Sequence, residues 1–318
     1  MGDNAVRLGV LPWGQATDWR GLEGAAKRLD QLGYDHIWAW DHLHAIFGDP
    51  DQPIFEGWIT VAAWAQVTTR ARLGLLVGAN TFRNPGLVAK MATTLDHISG
   101  GRAIVGMGGA WFEHEHIAHG IEFGRGIGQR LDWMHESVTA IRTVLDGGEA
   151  TSPEGAHYRF QGLRQHPRPI QARLPIMIGG SGEKKTLRTV ATYADMWNAM
   201  GTVDTLRHKV EVLREHCATV GRDFAEIELT LGCKPVIRDT EAEAQRVWES
   251  QMAHNKTPLS DVIDDPTFWI DTPEGIAERM RAYRELGFDT FIAEMAAPHD
   301  VETMERWMGE VKPMVEAA

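Results

Sequence analysis

A glycine-rich turn in the middle of the chain has the pattern of an anion site. Residues 175–178 are apolar, residues 179–182 read Gly-Gly-Ser-Gly, and residues 183–192 have the apolar spacing of a helix. Glycines allow bare backbone N–H groups to approach a phosphate, and the start of a helix adds about half a positive charge there. The alternative is an ordinary turn with two solvated lysines, Lys184 and Lys185. The predicted phosphate-binding residues are Gly179, Gly180, Ser181 and Gly182.

A histidine pair, His42 and His44, follows a second apolar run at residues 35–40. Two histidines beyond a strand could bind a metal ion, but such a site needs further histidines and an aspartate at later strand ends. Two later runs end instead in Ile-Gly-Gly and Trp-Asn-Ala-Met, so no metal site is predicted. A solvated surface pair is the other alternative. Because a histidine beside a ligand can pass a proton near neutral pH, His42 is favoured for that role.

Two other clusters do not match the motifs that they approach. His114, His116 and His119 lack the spacing of the zinc motif His-Glu-x-x-His. Residues 106–111, Gly-Met-Gly-Gly-Ala-Trp, are not the Gly-x-Gly-x-x-Gly fingerprint of a Rossmann dinucleotide site. We therefore expect this region to be a polar loop and a helix start over a pocket.

Composition argues against several classes of protein. The 318 residues carry 32 basic and 44 acidic side chains, and this net charge of −12 argues against nucleic-acid and membrane-surface partners. Cys217 and Cys233 are too few for a disulfide framework or a four-cysteine zinc site. The first residues show no signal-peptide pattern, and no apolar run approaches the ~20 residues of a membrane span. We expect a cytoplasmic protein that acts on a small-molecule substrate.

Short apolar strands and amphipathic helices alternate along the chain. About eight strand–helix units in roughly 250 or more residues predict a single (β/α)8 TIM barrel, with a doubly wound sheet as the alternative. No linker or composition break interrupts the pattern, so residues 1–318 are expected to form one domain, with an excursion at residues 147–173. The predicted strands are residues 6–11, 35–40, 72–78, 102–107, 175–178, 196–198, 227–231 and 290–293.

In such a barrel, ligands bind where strands end and helices begin. Polar and glycine-rich segments lie at these places in the predicted pattern. Asp41 and His42 follow the second strand, and residues 78–81, 108–116 and 179–183 follow the third, fourth and fifth strands. These segments are therefore expected to meet at one end of the barrel, where the phosphate turn has neighbours that can bind the rest of a ligand.

Three stretches together resemble the luciferase-like monooxygenase superfamily, and within it the oxidoreductases that use the deazaflavin coenzyme F420. They are Gly-Tyr-Asp-His-Ile-Trp-Ala-Trp-Asp-His-Leu at residues 33–43, residues 71–116 and residues 174–198, in the family's order and spacing. After about residue 222 only the barrel pattern matches. The resemblance implies a bacterial-luciferase-like barrel with insertion loops, commonly a homodimer, that holds a flavin or deazaflavin at the strand ends.

The resemblance also implies roles for individual residues. A non-prolyl cis peptide between Leu76 and Val77 would bulge against the ring of the coenzyme. Asp41 and His42 would lie beside the ring, with His42 as proton donor or substrate-orienting group. The same turn at residues 179–182 would hold the phosphate. The other residues implied to line the coenzyme site are Asn80, Ala110, Trp111 and Trp197.

One departure from the family pattern affects the expected chemistry. Sugar-phosphate dehydrogenases of this branch have a glutamate acid/base after the glycines of the fourth strand, where this chain has Trp111, followed by Glu113 and Glu115. The sugar-phosphate reaction is therefore not expected, and the partner of His42 in proton transfer stays open. His42 and Glu113 are the catalytic candidates.

Three functions follow from these patterns. The favoured one is an F420-dependent oxidoreductase that transfers a hydride between the deazaflavin C5 and a small organic substrate, in either direction. The second is a luciferase-like monooxygenase that depends on flavin mononucleotide (FMN) and attacks its substrate with a flavin peroxide. The third, of another class, is a non-catalytic flavin-binding protein on the same fold.

Overall fold

The computed structural model describes residues 5–317, and in this range ten strands form one sheet with helices packed around it. Residues 1–4 and 318, which are part of the predicted domain and of the start examined for a signal peptide, lie outside the described residues. No helix within the described range is both long and apolar enough to cross a membrane. The strands are β1 (Arg7–Pro12), β2 (His36–Ala39), β3 (Arg72–Leu75), β4 (Gly78–Ala79), β5 (Ala103–Gly108), β6 (Ile176–Gly179), β7 (Met196–Ala199), β8 (Glu228–Ile237), β9 (Phe268–Asp271) and β10 (Phe288–Met295). The helices are α1 (Trp19–Leu32), α2 (Gly57–Val67), α3 (Pro85–Ser99), α4 (Glu113–His119), α5 (Ile127–Leu145), α6 (Thr186–Tyr193), α7 (Val203–Val220), α8 (Glu241–His254), α9 (Pro273–Arg284), α10 (Val301–Arg306) and α11 (Lys312–Glu316).

Hydrogen bonding closes the sheet into a barrel. β1 pairs with β2 on one side and with β10 on the other, and β10 pairs with β8, all in parallel. The closed ring of eight strands runs β1, β2, β3, β5, β6, β7, β8, β10, and it confirms the predicted (β/α)8 fold. β4 pairs with the end of β5, and β9 pairs with the end of β8. Because the strands are parallel, all of their C-terminal ends meet at one end of the barrel.

The structure differs from the predicted elements at three places. The predicted third strand is divided, because β3 ends at Leu75 and β4 begins at Gly78, with the cis peptide between them. The helix after the glycine-rich turn begins at Thr186 rather than at residue 183, since residues 183–185 are turns. Residues 256–271, where no strand is predicted, contain β9, which pairs with the part of β8 that continues beyond the predicted strand end.

A single large side chain closes the interior of the barrel below the strand ends. Trp38 on β2 is fully buried, two positions before Trp40. A β-carbon at Gly74 on β3 would lie 2.8 Å from the Trp38 ring, and one at Gly9 on β1 would lie 3.0 Å from its Nε1. The flanking strands therefore carry glycine where the indole needs room, and the barrel is filled at this level.

Asp30 joins the end of α1 to the segment that leads into β3. Its carboxylate accepts hydrogen bonds from the backbone N–H groups of Thr69, Arg70 and Ala71 at 2.8, 2.9 and 2.8 Å. Burial alone would raise the pKa of the Asp30 carboxyl, but these hydrogen bonds outweigh burial and lower it. The contact therefore stabilises the fold most when Asp30 is ionised.

Replacing Asp30 by Ala is expected to lower the free energy of unfolding by about 2–3 kcal/mol at pH 7, because three backbone N–H groups lose their acceptor. Since the folded-state pKa of Asp30 is lowered, this stabilisation is present above the ordinary carboxyl pKa of about 3.8 and is lost as the pH falls through the folded-state value. Urea unfolding of the wild type and the variant at several pH values measures both effects. The exposed Asp51→Ala variant is the control. A loss as small as that of the control at pH 7 would contradict this role of Asp30.

Candidate active site

A cavity of about 540 Å³ opens at the C-terminal ends of the barrel strands. Its walls combine apolar side chains and glycine backbone with a few polar groups, which is the usual composition of a site for an organic ligand. A larger groove of about 870 Å³ lies outside the barrel between α5 and α6, and none of the predicted site residues lines it. The predicted site residues that line the barrel cavity are Asp41, His42, Leu76, Val77, Ala110, Trp111, Gly179, Gly180, Ser181 and Gly182.

The Val77 side chain is inserted between two glycines of neighbouring strands. The peptide bond between Leu76 and Val77 is cis, at the position that the family resemblance implied, and both residues line the cavity. A β-carbon at Gly108 would lie 2.6 Å from Val77 Cγ2, and one at Gly179 would lie 2.8 Å from the same atom. A β-branched side chain has little freedom to move aside. Gly179 therefore makes room for the cavity wall, a role that the phosphate prediction did not include.

His42 and Glu115 form a hydrogen-bonded pair at the cavity surface. His42 Nδ1 lies 3.0 Å from Glu115 Oε1, and the backbone N–H of Leu43 donates to Glu115 Oε2 at 2.8 Å. An ionised carboxylate can only accept, so the Nδ1–H group of His42 is the donor in this contact. Among the described residues, none is hydrogen-bonded to Nε2. The pair can thus take up or release a proton at the cavity surface.

Asp41 is engaged by an arginine and by the backbone of β4. Its two oxygens accept hydrogen bonds from the Arg83 guanidinium at 2.8 and 2.9 Å, and the Ala79 N–H donates to the same carboxylate at 2.8 Å. Arg83 also donates to Glu56, the N-cap of α2, at 2.6 Å. Burial raises the pKa of the Asp41 carboxyl, and the Arg83 guanidinium opposes this rise. Asp41 therefore positions the segment that follows Val77, and Val77 forms the cavity wall.

The glycine-rich turn presents unused hydrogen-bond donors. Gly180 has a φ of +112°, which glycine adopts without a steric penalty, and its carbonyl accepts from Trp197 Nε1 at 2.8 Å. Within residues 5–317, the N–H groups of Ser181 and Gly182 and the Ser181 hydroxyl have no hydrogen-bond partner. The Lys185 ammonium forms a salt bridge with an aspartate of α5 instead of pointing to the turn. The turn can bind an anion through its backbone and its hydroxyl.

Three predicted site residues do not line the cavity. Glu113 is exposed at the start of α4, and Glu115, two positions later, makes the contact with His42. Asn80 is buried, and its side-chain amide is hydrogen-bonded to groups of α5 and to a tyrosine hydroxyl. Trp197 is fully buried and supports Gly180 through its indole N–H.

Two further cavity residues, Lys234 on β8 and Glu294 on β10, have no role in the sequence-based site. The predicted seventh strand ends at residue 231, whereas β8 continues to Ile237, and this extension brings Lys234 into the barrel. A lone lysine in the apolar run Leu-Gly-Cys-Lys-Pro-Val-Ile is the signal that could have revealed it. The predicted eighth strand ends one residue before Glu294.

Comparison with known families gives the same fold. The family model of luciferase-like monooxygenases matches residues 7–260, which include seven of the eight barrel strands. The chain belongs to the luciferase-like monooxygenase family. Members of this family are oxidoreductases and monooxygenases, so the protein is an enzyme that depends on a flavin or on coenzyme F420. The family and the enzymatic nature predicted from the sequence are confirmed.

Individual relatives span most of the chain. An uncharacterised protein of Mycobacterium tuberculosis is 30% identical over 237 residues, which cover 69% of this chain and 82% of that protein. A pyrimidine monooxygenase of Methylorubrum extorquens is 28% identical over 273 residues, which cover 79% and 71% of the two chains. The solved structure of an F420-dependent secondary alcohol dehydrogenase with an F420–acetone adduct aligns with a TM-score of 0.83 at 19% identity, covering 98% of this chain and 99% of that one. This last likeness shows a shared fold.

Replacing Gly108 by Ala is expected to destabilise the protein by about 1–3 kcal/mol, because the added methyl group would collide with Val77. The same replacement should cost clearly less in a Val77→Ala background, where the colliding methyl group is absent. Urea unfolding of the four proteins of this double-mutant cycle measures the coupling. Gly24→Ala, whose β-carbon would meet no atom within 4 Å, is the control. Equal losses in the two backgrounds would contradict the insertion of Val77 between the two strands.

Proposed function

We propose that the protein is a coenzyme F420-dependent oxidoreductase that transfers a hydride between the deazaflavin C5 and a small organic substrate. The observation that carries this proposal is the His42–Glu115 pair at the cavity surface. Reduction of a carbonyl group adds a hydride to its carbon and a proton to its oxygen, and oxidation of the alcohol removes both. Hydride transfer of this kind therefore needs a proton donor or acceptor held beside the substrate, and His42 can serve as one.

The residues around the cavity fit the coenzyme. The unpartnered donors of Ser181 and Gly182 are suited to its phosphate, and the Leu76–Val77 segment offers an apolar wall for its ring. Trp111 is 60% exposed at the mouth of the cavity, where it can cover a bound ring. When bound, coenzyme F420 would supply the ring carbon that gives or takes the hydride. The similar solved fold that holds an F420–acetone adduct supports this choice of coenzyme.

Each polar residue of the site then has a distinct task. His42 Nε2 exchanges the proton with the substrate oxygen, and Glu115 holds the imidazole through Nδ1 and stabilises its protonated form. Asp41 and Arg83 keep the wall beneath the ring in place. Apolar residues around the ring exclude water from the reacting carbon.

A second candidate function is that of an FMN-dependent monooxygenase. It is favoured by the relationship to a pyrimidine monooxygenase, and one phosphate turn and one apolar wall also suit FMN. The two functions differ in their use of oxygen, because the deazaflavin has a carbon at position 5 and does not readily activate oxygen. The choice of coenzyme therefore decides between them.

Titration of the purified protein is expected to give at least tenfold tighter binding of oxidised F420 than of FMN, measured by the quenching of coenzyme fluorescence. Ser181→Glu should weaken F420 binding at least tenfold, because a carboxylate at the turn repels the phosphate. Ser250→Glu, which adds the same charge to an exposed position of α8, should leave binding unchanged. Tighter binding of FMN would favour the monooxygenase. Failure to bind either coenzyme would contradict the proposal.

Reduced F420, mixed with the protein under nitrogen, is expected to be reoxidised by at least one member of a panel of uncharged ketones, aldehydes and unsaturated ketones. His42→Ala should slow this hydride transfer about 100-fold or more, because the substrate loses its proton donor or acceptor. The affinity for F420 should stay within threefold of that of the wild type, because the phosphate turn is unchanged. His254→Ala, an exposed histidine of α8, is the matched control. The return of deazaflavin absorbance gives the rate. An unchanged rate in His42→Ala would remove the role assigned to this residue.

A further inference from the structure

Lys234 and Glu294 lie across the barrel axis from the wall that Val77 forms. In the closed ring of eight strands, β8 is four positions away from β3, and β10 is four positions away from β5, and β3 and β5 flank that wall. The register pairs Cys233 with Ala293, so Lys234 and Glu294 are neighbours on adjacent strands, and both line the cavity. The cavity thus has two facing walls, one built around Leu76–Val77 and one that carries a lysine and a glutamate.

The two side chains of the second wall differ in their bonding. Lys234 Nζ donates to Thr267 Oγ1 at 2.6 Å and lies 3.3 Å from the Asp265 carboxylate, so its charge is compensated within the protein. Glu294 has no hydrogen-bond partner among the residues that the structure describes. The Glu294 side chain is only partly buried and faces the cavity, so a bound ligand can complete its hydrogen bonds.

Burial raises the pKa of the Glu294 carboxyl, and the charge of Lys234 opposes part of this rise. A protonated carboxyl group donates a hydrogen bond to a carbonyl oxygen, and an ionised one accepts a hydrogen bond from a hydroxyl group, so Glu294 can contact either kind of substrate oxygen. His42 and Glu294 both line the cavity. A substrate oxygen between them can contact both.

The cations around the cavity do not favour an anionic substrate. Lys234 is the one lysine or arginine that lines it in the described part of the chain, and its charge is already compensated. Arg83, just behind the wall, is engaged by Asp41 and Glu56. The rest of the lining is mostly apolar and includes the aromatic rings of Trp40 and Phe47, and its uncharged polar side chains include Asn198 and Thr186.

We propose that Lys234 and Glu294 form the substrate wall of the cavity, and that the Glu294 carboxyl holds the oxygen of an uncharged, mainly apolar ketone, aldehyde or alcohol. This inference rests on the proposed function, which puts the coenzyme ring between the two walls. The oxygen is then held on the ring face opposite Leu76–Val77, with His42 beside it. Lys234 acts as a positioning residue, because its positive charge is held next to the Glu294 carboxyl.

The experiment uses the protein saturated with oxidised F420 and two probes of similar size, cyclohexanone and cyclohexanecarboxylate, whose binding is measured by calorimetry. The wild type should bind cyclohexanone at least tenfold more tightly than the carboxylate. Glu294→Leu should weaken cyclohexanone binding at least tenfold, and Glu294→Gln, whose amide can still donate, should stay within threefold of the wild type. Glu278→Leu, at an exposed position of α9, is the matched control. None of the variants should change the affinity for F420 by more than threefold.

Equal affinity for cyclohexanone in the wild type and in Glu294→Leu would overturn the role of Glu294. Binding of the carboxylate in preference to the ketone, or of neither probe, would overturn the substrate class. If F420 itself does not bind, the proposed function fails, and titration of the same probes into the protein without coenzyme still tests the substrate wall. The two failures are therefore distinguishable.

Discussion

The site depends on the place that the Val77 side chain takes between two neighbouring strands. Gly108 and Gly179 leave room for it, since a β-carbon at either position would lie within 2.8 Å of Val77 Cγ2. The same segment is held electrostatically, because Ala79 donates to Asp41, and Asp41 is held by Arg83. A steric and an electrostatic contact thus define the same wall. The cavity, the turn at its edge and the facing wall all take their positions relative to it.

Charges around the cavity are paired except where a ligand is expected. His42 is bonded to Glu115, Asp41 to Arg83, and Lys234 to Asp265, as the cost of isolated buried charges requires. The groups without hydrogen-bond partners among the described residues include those at three places, namely the turn at residues 181–182, His42 Nε2 and the Glu294 carboxyl. A phosphate-bearing ring coenzyme together with a small uncharged substrate satisfies all three. The electrostatics of the cavity and the proposed chemistry therefore agree.

The sequence was sufficient to predict the barrel and the glycine-rich turn at the edge of the cavity. Alternating apolar strands and helices predict a parallel closed sheet, and the order Gly-Gly-Ser-Gly predicts a turn with free donors, because both depend on local pattern. Local sequence pattern could not decide whether Glu113 or Glu115 contacts His42. Residues two positions apart on a helix point about 200° apart, so the direction of α4 decides which carboxylate meets His42.

Other side chains could not be placed because their partners are distant in the sequence. Asn80 fills its hydrogen bonds with Tyr158, from the excursion at residues 147–173, and with Ser137 of α5, so it is structural. Lys234 enters the cavity because β8 runs ten residues, longer than its apolar start suggests, and β9 pairs with its end. These features are set by tertiary contacts, and periodicity does not report them.

A crystal structure of the protein with bound coenzyme F420 tests the central claim most directly. We expect the phosphate within hydrogen-bond distance of the Ser181 and Gly182 N–H groups, and the deazaflavin ring against Leu76–Val77 with its other face toward Glu294. A coenzyme bound in the groove between α5 and α6, or a ring turned away from Leu76–Val77, would contradict the proposed coenzyme site.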